Sequence, residues 1–130
     1  MTAKTAFLGA GMAALLSIAP AFGHHSFAAT YFESQNDTIR GTVIEFDYRS
    51  PHSFVTVDAA NPETGQMIRW AVEWGSPKRL SSEGIKQDTL KPGDKVVVVG
   101  HPGRIPGEHR MHMWGIARLS DGWKWGHVTN

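Results

Sequence analysis

The sequence predicts an all-β fold with little helix: a barrel of five to six short strands, with one short helix between strands 3 and 4. Two observations lead to this prediction. Segments rich in β-branched and aromatic residues alternate with turn segments rich in Gly, Pro and Asp along most of the chain. After the third such segment, a Ser-Pro pair marks the start of a helix. This order of elements is that of the OB-fold, a small five-stranded barrel, and a five- or six-stranded sandwich is the alternative.

The first three predicted strands lie in the first half of the domain. Residues 38–46 (TIRGTVIEF) alternate between β-branched and polar positions, and Gly41 is expected to form a bulge or a sharp bend. Residues 53–58 (SFVTVD) and 67–74 (MIRWAVEW) also alternate. The turn sequence NPETG at 61–65 joins them, so we expect strands 2 and 3 to form a hairpin.

The second half is predicted to contain the helix and the remaining strands. Ser76 is a suitable helix N-cap, and Pro77 fits the first helical position. Residues 95–100 (KVVVVG) form a strand whose unbroken valines indicate burial on both faces. Residues 110–119 form the fifth strand, and residues 123–128 add a short edge strand.

The first residues of the chain have the pattern of a secretory signal peptide. Lys4 supplies a positive charge, and residues 6–19 are an uncharged apolar run. This run is shorter than the roughly 20 residues that a membrane span needs. Small residues permit cleavage after Ala21 or after Gly23. We therefore expect residues 1–23 to be a signal peptide and the protein to be periplasmic or secreted.

Cleavage would leave one domain of about 107 residues, with a lead-in segment at 24–36 and a barrel at 37–130. Its 12 basic residues balance its 12 acidic ones, so it lacks the basic patch expected of a protein that binds nucleic acid. It contains no cysteine, which excludes disulfides, thiol catalysis and thiolate metal sites. We expect no nucleic-acid partner and no membrane span after processing.

The chain resembles a family of small exported bacterial proteins known as domain-of-unknown-function family 6152. Seven short motifs spread over the mature chain carry the resemblance: HHSF at 24–27, GTV at 41–43, PH at 51–52, WAVE at 70–73, GSP at 75–77, LKPGD at 90–94 and GHP at 100–102. Ser50 stands where the family usually has Asn, and Trp74 where it more often has a small residue. The resemblance implies export and an OB-like barrel, and it implies no activity.

The processed amino terminus is the strongest candidate for a metal site. If cleavage precedes Phe22, the amino group, two backbone nitrogens and the His24 ring can surround a metal in a square plane, which suits Cu(II) or Ni(II). If cleavage precedes His24, its amino group and ring can chelate one ion, and His25 or a barrel histidine can complete the site. The candidate barrel ligands are His52 and His112, and copper is the expected metal. The alternative is that the His-His pair is a polar leader over the barrel.

His112 lies between Met111 and Met113 on the fifth strand, where the two methionines share one face and His112 takes the other. Methionine sulfur can bind Cu(I). Core packing is the alternative for both methionines, because this side chain fills irregular gaps. The remaining histidines are expected to be exposed to solvent: His101, His109 and His127.

Trp123 and Trp125 form a candidate ligand-binding face. They alternate with Lys124, so both lie on one side of the last strand. An exposed pair can stack on a sugar, a base or a side chain of a partner. A buried pair would instead cap the open end of the barrel, and the sequence leaves both interpretations open.

The sequence contains no pattern that predicts catalysis, since it has neither a Gly-rich phosphate loop nor a nucleophile elbow. Asp58 and Glu73 can face each other across the hairpin, although a salt bridge from Glu73 to Arg69 or another base is the simpler interpretation. We expect a small, exported, non-enzymatic binding module whose partner is a protein, a peptide or a glycan. The alternative is a periplasmic copper-binding protein that uses its processed, His-rich amino terminus, and no other cofactor is expected.

Overall fold

The computed structural model describes residues 26–129. The predicted signal peptide, His24 and His25 lie outside the described residues. Two short helices and six strands follow one another in this order: α1 (Ser26–Thr30), β1 (Asp37–Asp47), β2 (Phe54–Ala60), β3 (Met67–Glu73), α2 (Pro77–Ser82), β4 (Lys95–Pro102), β5 (Arg110–Arg118) and β6 (Lys124–Gly126).

Five of the strands close into a barrel. Neighbouring strands follow the order β3-β2-β1-β4-β5-β6, and β3 also pairs with β5. The β3–β5 pairing is parallel, whereas the other pairings are antiparallel. The strand β6 adds to β5 outside the closed ring. The predicted fold class is confirmed: a closed five-stranded barrel of OB-fold topology with one extra strand and only short helices.

The barrel interior is filled mainly by β-branched and aliphatic side chains. Alternate residues of β2 point inward, and the central valines of β4 are buried on both faces, as their unbroken run predicts. The fully buried aliphatic side chains are Val43, Val55, Val57, Val72, Leu80, Ile85, Val96, Val98, Met111 and Ile116. Both methionines of the fifth strand, Met111 and Met113, belong to the core.

The helix α2 begins as the sequence predicts. The Ser76 hydroxyl accepts a hydrogen bond from the Arg79 backbone amide, and Pro77 occupies the first turn. Of the two predictions for Gly41, a bulge or a sharp bend, the bulge was wrong, because the bulge of β1 lies between Val43 and Glu45. Gly41 instead permits a close approach of two strands, since a Cβ there would collide with the carbonyl oxygen of Asp58.

The segment that contains α1 packs on the outside of the barrel. The Tyr31 side chain is fully buried, and its backbone bridges Gly103. The Phe32 amide donates to the Pro102 carbonyl at 2.9 Å, and the Arg104 Nε atom donates to the Ala28 carbonyl at 2.7 Å. The lead-in segment is therefore attached to the end of β4 and to the loop that follows it.

The strand β5 has a different second partner along each half of its length. Residues at its beginning pair with β3, where Val72 lies opposite Met111. Residues near its end pair with β6, where Ile116 lies opposite Trp125. The change of partner falls at Trp114, where a bulge interrupts the pairing with β4. The strands β3 and β6 both leave β5 near this residue, and a groove opens between them.

Candidate functional site

A buried carboxylate, Glu73, lies at the end of β3 and holds three elements together. It accepts a hydrogen bond from the Tyr31 hydroxyl of the lead-in segment. The Nδ1 atom of His52 lies 2.7 Å from its Oε1 atom, and Nη2 of Arg110 lies 3.1 Å from its Oε2 atom. We refer to Tyr31, His52, Glu73 and Arg110 as the carboxylate cluster. It joins the residue after α1, the segment just before β2 and the β3–β5 seam.

The cluster supplies the polar partners that a buried carboxylate requires. Arg110 compensates the charge of the Glu73 carboxylate. Burial raises the pKa of the Tyr31 hydroxyl, and its hydrogen bond to Glu73 raises that pKa further. Tyr31 is therefore a neutral donor over the physiological pH range.

The predicted meeting of Asp58 and Glu73 is wrong, because Asp58 lies opposite Arg69 and forms a two-bond ion pair with it at 2.7 and 2.9 Å. The base that pairs with Glu73 is Arg110.

His112 lies beside this cluster on the outer face of β5. Its ring stacks on that of Phe27 with the centroids 4.2 Å apart, and the Tyr31 ring is 5.6 Å away. Burial lowers the pKa of His112, so its ring is neutral near pH 7. The Nδ1 atom is buried and has no hydrogen-bond partner among residues 26–129.

The groove that opens where the pairing of β5 changes from β3 to β6 has a volume of about 210 Å³. We call it the tryptophan groove and define it by six lining residues: Trp74, Arg79, His112, Trp114, Trp125 and His127. Its walls come from the residue after β3, from α2, from β5 and from β6. Trp114 is 40% exposed and stacks on His127 with ring centroids 4.3 Å apart. The groove therefore presents an accessible aromatic surface.

The inner wall of the groove contains a second unpartnered polar atom. The Nε1 atom of Trp74 is buried without a hydrogen-bond partner in the described part of the chain, like Nδ1 of His112. Only 2% of Trp74 is exposed. At the rim, Glu83 accepts hydrogen bonds from Trp125 Nε1 and from Arg79 Nε. A third buried atom without a partner in the described part of the chain, Nε of Arg110, belongs to the carboxylate cluster.

The predicted metal ligands are partly brought together. His52 and His112 both contact the ring of Phe27, with centroids 5.3 and 4.2 Å from it. His24 and His25 lie outside the described residues. Within residues 26–129, no group of three or more His, Cys, Asp or Glu side chains is arranged to hold a metal ion.

The other predicted positions lie apart from the carboxylate cluster. Trp123 and Trp125 both pack against the core. Trp125 also lines the tryptophan groove, and Trp123 lies beneath the Arg118 guanidinium. The prediction that His101 is solvent-exposed was wrong: it belongs to β4, is buried, and its Nδ1 atom donates to the Gln35 carbonyl at 2.8 Å. His127 is exposed at the groove.

A second, larger groove of about 480 Å³ lies at the other end of the barrel, between β1, β2 and β3. Its walls include Ile39, Ile68 and Trp70. In the described part of the chain, neither of the residues with unpartnered ring nitrogens, Trp74 and His112, lines it. We therefore regard the tryptophan groove as the better candidate site.

A family model described as a family of unknown function, DUF6152, matches residues 13–111. The chain belongs to this family. The matched range covers the lead-in segment, β1 to β4 and the first residues of β5, and it ends before Trp114 and β6. The DUF6152 match therefore includes the carboxylate cluster but only part of the tryptophan groove. No curated protein and no solved structure matches the chain. Among residues 26–129, no helix has the length and apolar composition needed to cross a membrane.

Five residues of the two sites were not predicted from the sequence: Tyr31, Trp74, Arg79, Arg110 and Trp114. The sequence did contain one signal for the His52–Glu73 contact. Phe54 lies opposite Glu73 in the predicted β2–β3 hairpin, so His52, two residues before Phe54, comes close to the Glu73 carboxylate. The contributions of Tyr31 and Arg110 depend on long-range packing, for which local patterns give no signal.

Proposed function

We propose that this DUF6152 protein is an exported, non-enzymatic binding module that recognises a protein, peptide or glycan partner through the tryptophan groove. One observation carries the proposal: Trp74, Trp114 and Trp125 line one groove of about 210 Å³, and Trp114, which is 40% exposed and stacked on His127, leaves an aromatic wall of that groove open to solvent. A ligand that covers this aromatic surface would gain the free energy of burying it.

The lining of the groove and the pairing of Glu73 support recognition rather than catalysis. The rings of Trp114 and Trp125 offer flat apolar surface, and aromatic side chains of this kind contribute strongly to binding. The buried carboxylate, Glu73, is already paired with Arg110 and receives the Tyr31 hydroxyl. A carboxylate held in this way is a structural support rather than a free general base.

The test is a thermal-shift screen with separate sets of sugars, short peptides and small carboxylates. Trp114→Ala is the groove variant, and Leu119→Ala, at a 59% exposed position outside the groove lining, is its matched control. We expect at least one ligand set to raise the melting temperature of the wild type and of Leu119→Ala, but not of Trp114→Ala. Equal stabilisation of all three proteins, or of none, would contradict binding at the groove.

Export has its own test, which is the intact mass of the protein recovered from the periplasm or the medium. A mature chain that begins at Phe22 or His24 supports the proposal. A periplasmic form that still begins at Met1 would contradict it.

Copper binding is a second candidate, and the pairing of His52 with Glu73 favours it. Metal-binding histidines usually donate their second ring N–H to a carboxylate, and Nδ1 of His52 lies 2.7 Å from the Glu73 carboxylate. That arrangement leaves Nε2 as the nitrogen that could bind a metal. His25 precedes Phe27 by two residues in the sequence. Phe27 itself contacts His52 and His112.

Copper binding is tested by titrating Cu(II) into the processed protein in the presence of a competing chelator. The reference is a free peptide with the same amino-terminal sequence. We expect the protein to bind more tightly than the peptide and His52→Ala to weaken binding at least about tenfold. The exposed His109 provides the matched control His109→Ala, which should have no effect. An affinity equal to that of the peptide would exclude a contribution from the barrel.

A further inference from the structure

We propose that the larger groove binds an extended peptide segment of a partner protein, which adds as a strand to the edge of β1. This inference goes beyond the function proposed above and does not depend on the tryptophan groove. Three observations lead to it: the first residues of β1 have an open edge, this edge borders an apolar groove, and it carries two charges without a partner in the described chain.

The first residues of β1 pair with another strand on one side only. Residues 37–40 pair with β4. Pairing with β2 begins only at Gly41, which lies opposite Ala59. After Ala59, β2 continues for one residue, and the chain then turns into β3. No other strand of the described chain pairs with residues 37–40. Backbone amide and carbonyl groups on their open side are therefore available to a further strand.

This open edge borders the larger groove, which has apolar side chains in its lining. Residues 37–40 and 59–62, which follow the last β1–β2 pair, both line it. Ile39 is only 8% exposed, and Ile68 and Trp70 also line the groove. The volume of about 480 Å³ lies within the roughly 300–1,000 Å³ typical of ligand sites. The groove therefore has room for a large apolar side chain.

The path of β2 indicates the direction of the added peptide. A segment that takes the place that β2 leaves after Ala59 runs antiparallel to β1, as β2 does. Antiparallel pairing is also slightly more stable per residue than parallel pairing. Side chains that lie directly opposite each other in a sheet point to the same face. The peptide residue opposite Ile39 therefore shares the face of this buried side chain and enters the groove.

The two ends of the open edge carry opposite charges. Asp37 and Arg40 are exposed, and neither forms an ion pair or a side-chain hydrogen bond within the described residues. A peptide with an acidic residue opposite Arg40 and a basic residue opposite Asp37 complements both charges. In the antiparallel direction, the segment therefore reads, from its amino terminus, as an acidic residue, a large apolar residue, any residue and a basic residue.

The experiment titrates the processed, ¹⁵N-labelled protein with the peptide acetyl-TEFTKT-amide and follows the indole N–H signals. Each signal is assigned from a single Trp→Phe variant. We expect a saturable shift of the Trp70 signal and no shift of the Trp114 signal, because Trp114 lines the tryptophan groove instead. A peptide with serine in place of phenylalanine should bind at least about tenfold more weakly, because it buries no large apolar side chain.

A charge reversal tests the direction and register of the peptide. The peptide acetyl-TKFTET-amide should bind the wild type about fivefold more weakly, since exposed ion pairs contribute modestly. The double variant Asp37→Lys/Arg40→Glu should reverse this preference. The matched control is Asp88→Lys/Lys91→Glu, which exchanges the same charges at the same spacing outside the groove and should keep the wild-type preference. All four residues are exposed, so neither double variant is expected to prevent folding.

Five outcomes would overturn the inference. The absence of a Trp70 shift with both charged peptides would exclude peptide binding at this groove. Equal binding of the phenylalanine and serine peptides would exclude an apolar side chain in the groove, and an unchanged preference in Asp37→Lys/Arg40→Glu would exclude the assigned register. Binding of N-acetylphenylalanine amide as tight as that of the hexapeptide would indicate a small-molecule pocket rather than an added strand. A Trp70 shift that follows protein concentration alone would indicate that a second copy of the chain occupies the edge.

Discussion

The interior of the barrel and its outer face over β3 and β5 are buried by different means. Inside, valine side chains from β1 to β4 exclude water without any polar partner. Outside, Tyr31 is equally buried, but its hydroxyl donates a hydrogen bond to the Glu73 carboxylate, so that both polar groups have a partner beneath the lead-in segment. Of the buried polar residues in the described chain, Glu73 and His101 belong to this outer face. Packing alone stabilises the interior, whereas the outer face also depends on polar pairs such as Tyr31 with Glu73.

The largest expected effect comes from a cavity in the interior. Ile116→Ala removes three carbons from a fully buried side chain and should lower the free energy of unfolding by about 2–5 kcal/mol. Urea denaturation measures this change. Leu119→Ala, on the same hairpin but 59% exposed, should stay within about 0.5 kcal/mol of the wild type. Similar losses for the two variants would contradict the idea that interior packing dominates stability.

A smaller loss is expected from the hydrogen bond to the buried carboxylate. Tyr31→Phe should lower the free energy of unfolding by about 1–3 kcal/mol, because the lost bond is to a charged group. Tyr48→Phe is the matched control, since its hydroxyl donates to two neutral carbonyls, of Pro77 and Ile85. We expect about 1 kcal/mol for that variant. If Tyr31→Phe costs no more than Tyr48→Phe, the charge of Glu73 adds nothing to the outer face.

The outer face should also make stability depend on pH through His112. Burial lowers its pKa in the folded chain below its ordinary value of about 6.5. The unfolded chain therefore binds the proton first, and stability falls as the pH drops from about 7 towards 5. Charged or titratable groups near this ring include Glu73, His101, Glu33 and Arg79.

The measurement is the difference in unfolding free energy between the wild type and His112→Asn, followed across this pH range with a chelator present. The wild type should lose more stability on acidification than the variant. Parallel curves would show that His112 titrates alike in the folded and unfolded chains.

The smallest effect concerns accessibility rather than stability. Trp114 is 40% exposed and Trp74 only 2%, so Trp114→Phe should remove far more of the acrylamide-quenchable fluorescence than Trp74→Phe. Trp114→Phe should also change the free energy of unfolding by about 0.5 kcal/mol or less. Equal quenching losses in the two variants would place Trp114 out of reach of small solutes and remove the accessible wall of the groove.

The elements of the barrel were predictable because they depend on local patterns. Alternation predicted β1, β2 and β3, and the Ser76-Pro77 pair predicted the start of α2. The parallel β3–β5 pairing has no local signal, since it joins residues about 40 positions apart, such as Ala71 and Arg110. The topology could be inferred only because the order of the predicted elements is that of the OB-fold.

The candidate sites were less predictable because they form where distant segments meet. The sequence pointed to His52 and His112, and the structure places both against Phe27. It gave no indication that Trp74 and His112 would line one groove, because that depends on where β3 and β6 leave β5. His101 was misassigned because the strand β4 continues past Gly100 to Pro102.

The divided edge of β5 has a consequence for shortened forms of the protein. Three residues of β6, which follow the turn around Gly122, cover the part of that edge that β3 leaves open. A chain that ends before Lys124 would keep its barrel but expose a strand edge with free amide and carbonyl groups. Such edges recruit strands from other molecules. A truncated form is therefore expected to self-associate and precipitate under conditions in which the intact chain stays monodisperse.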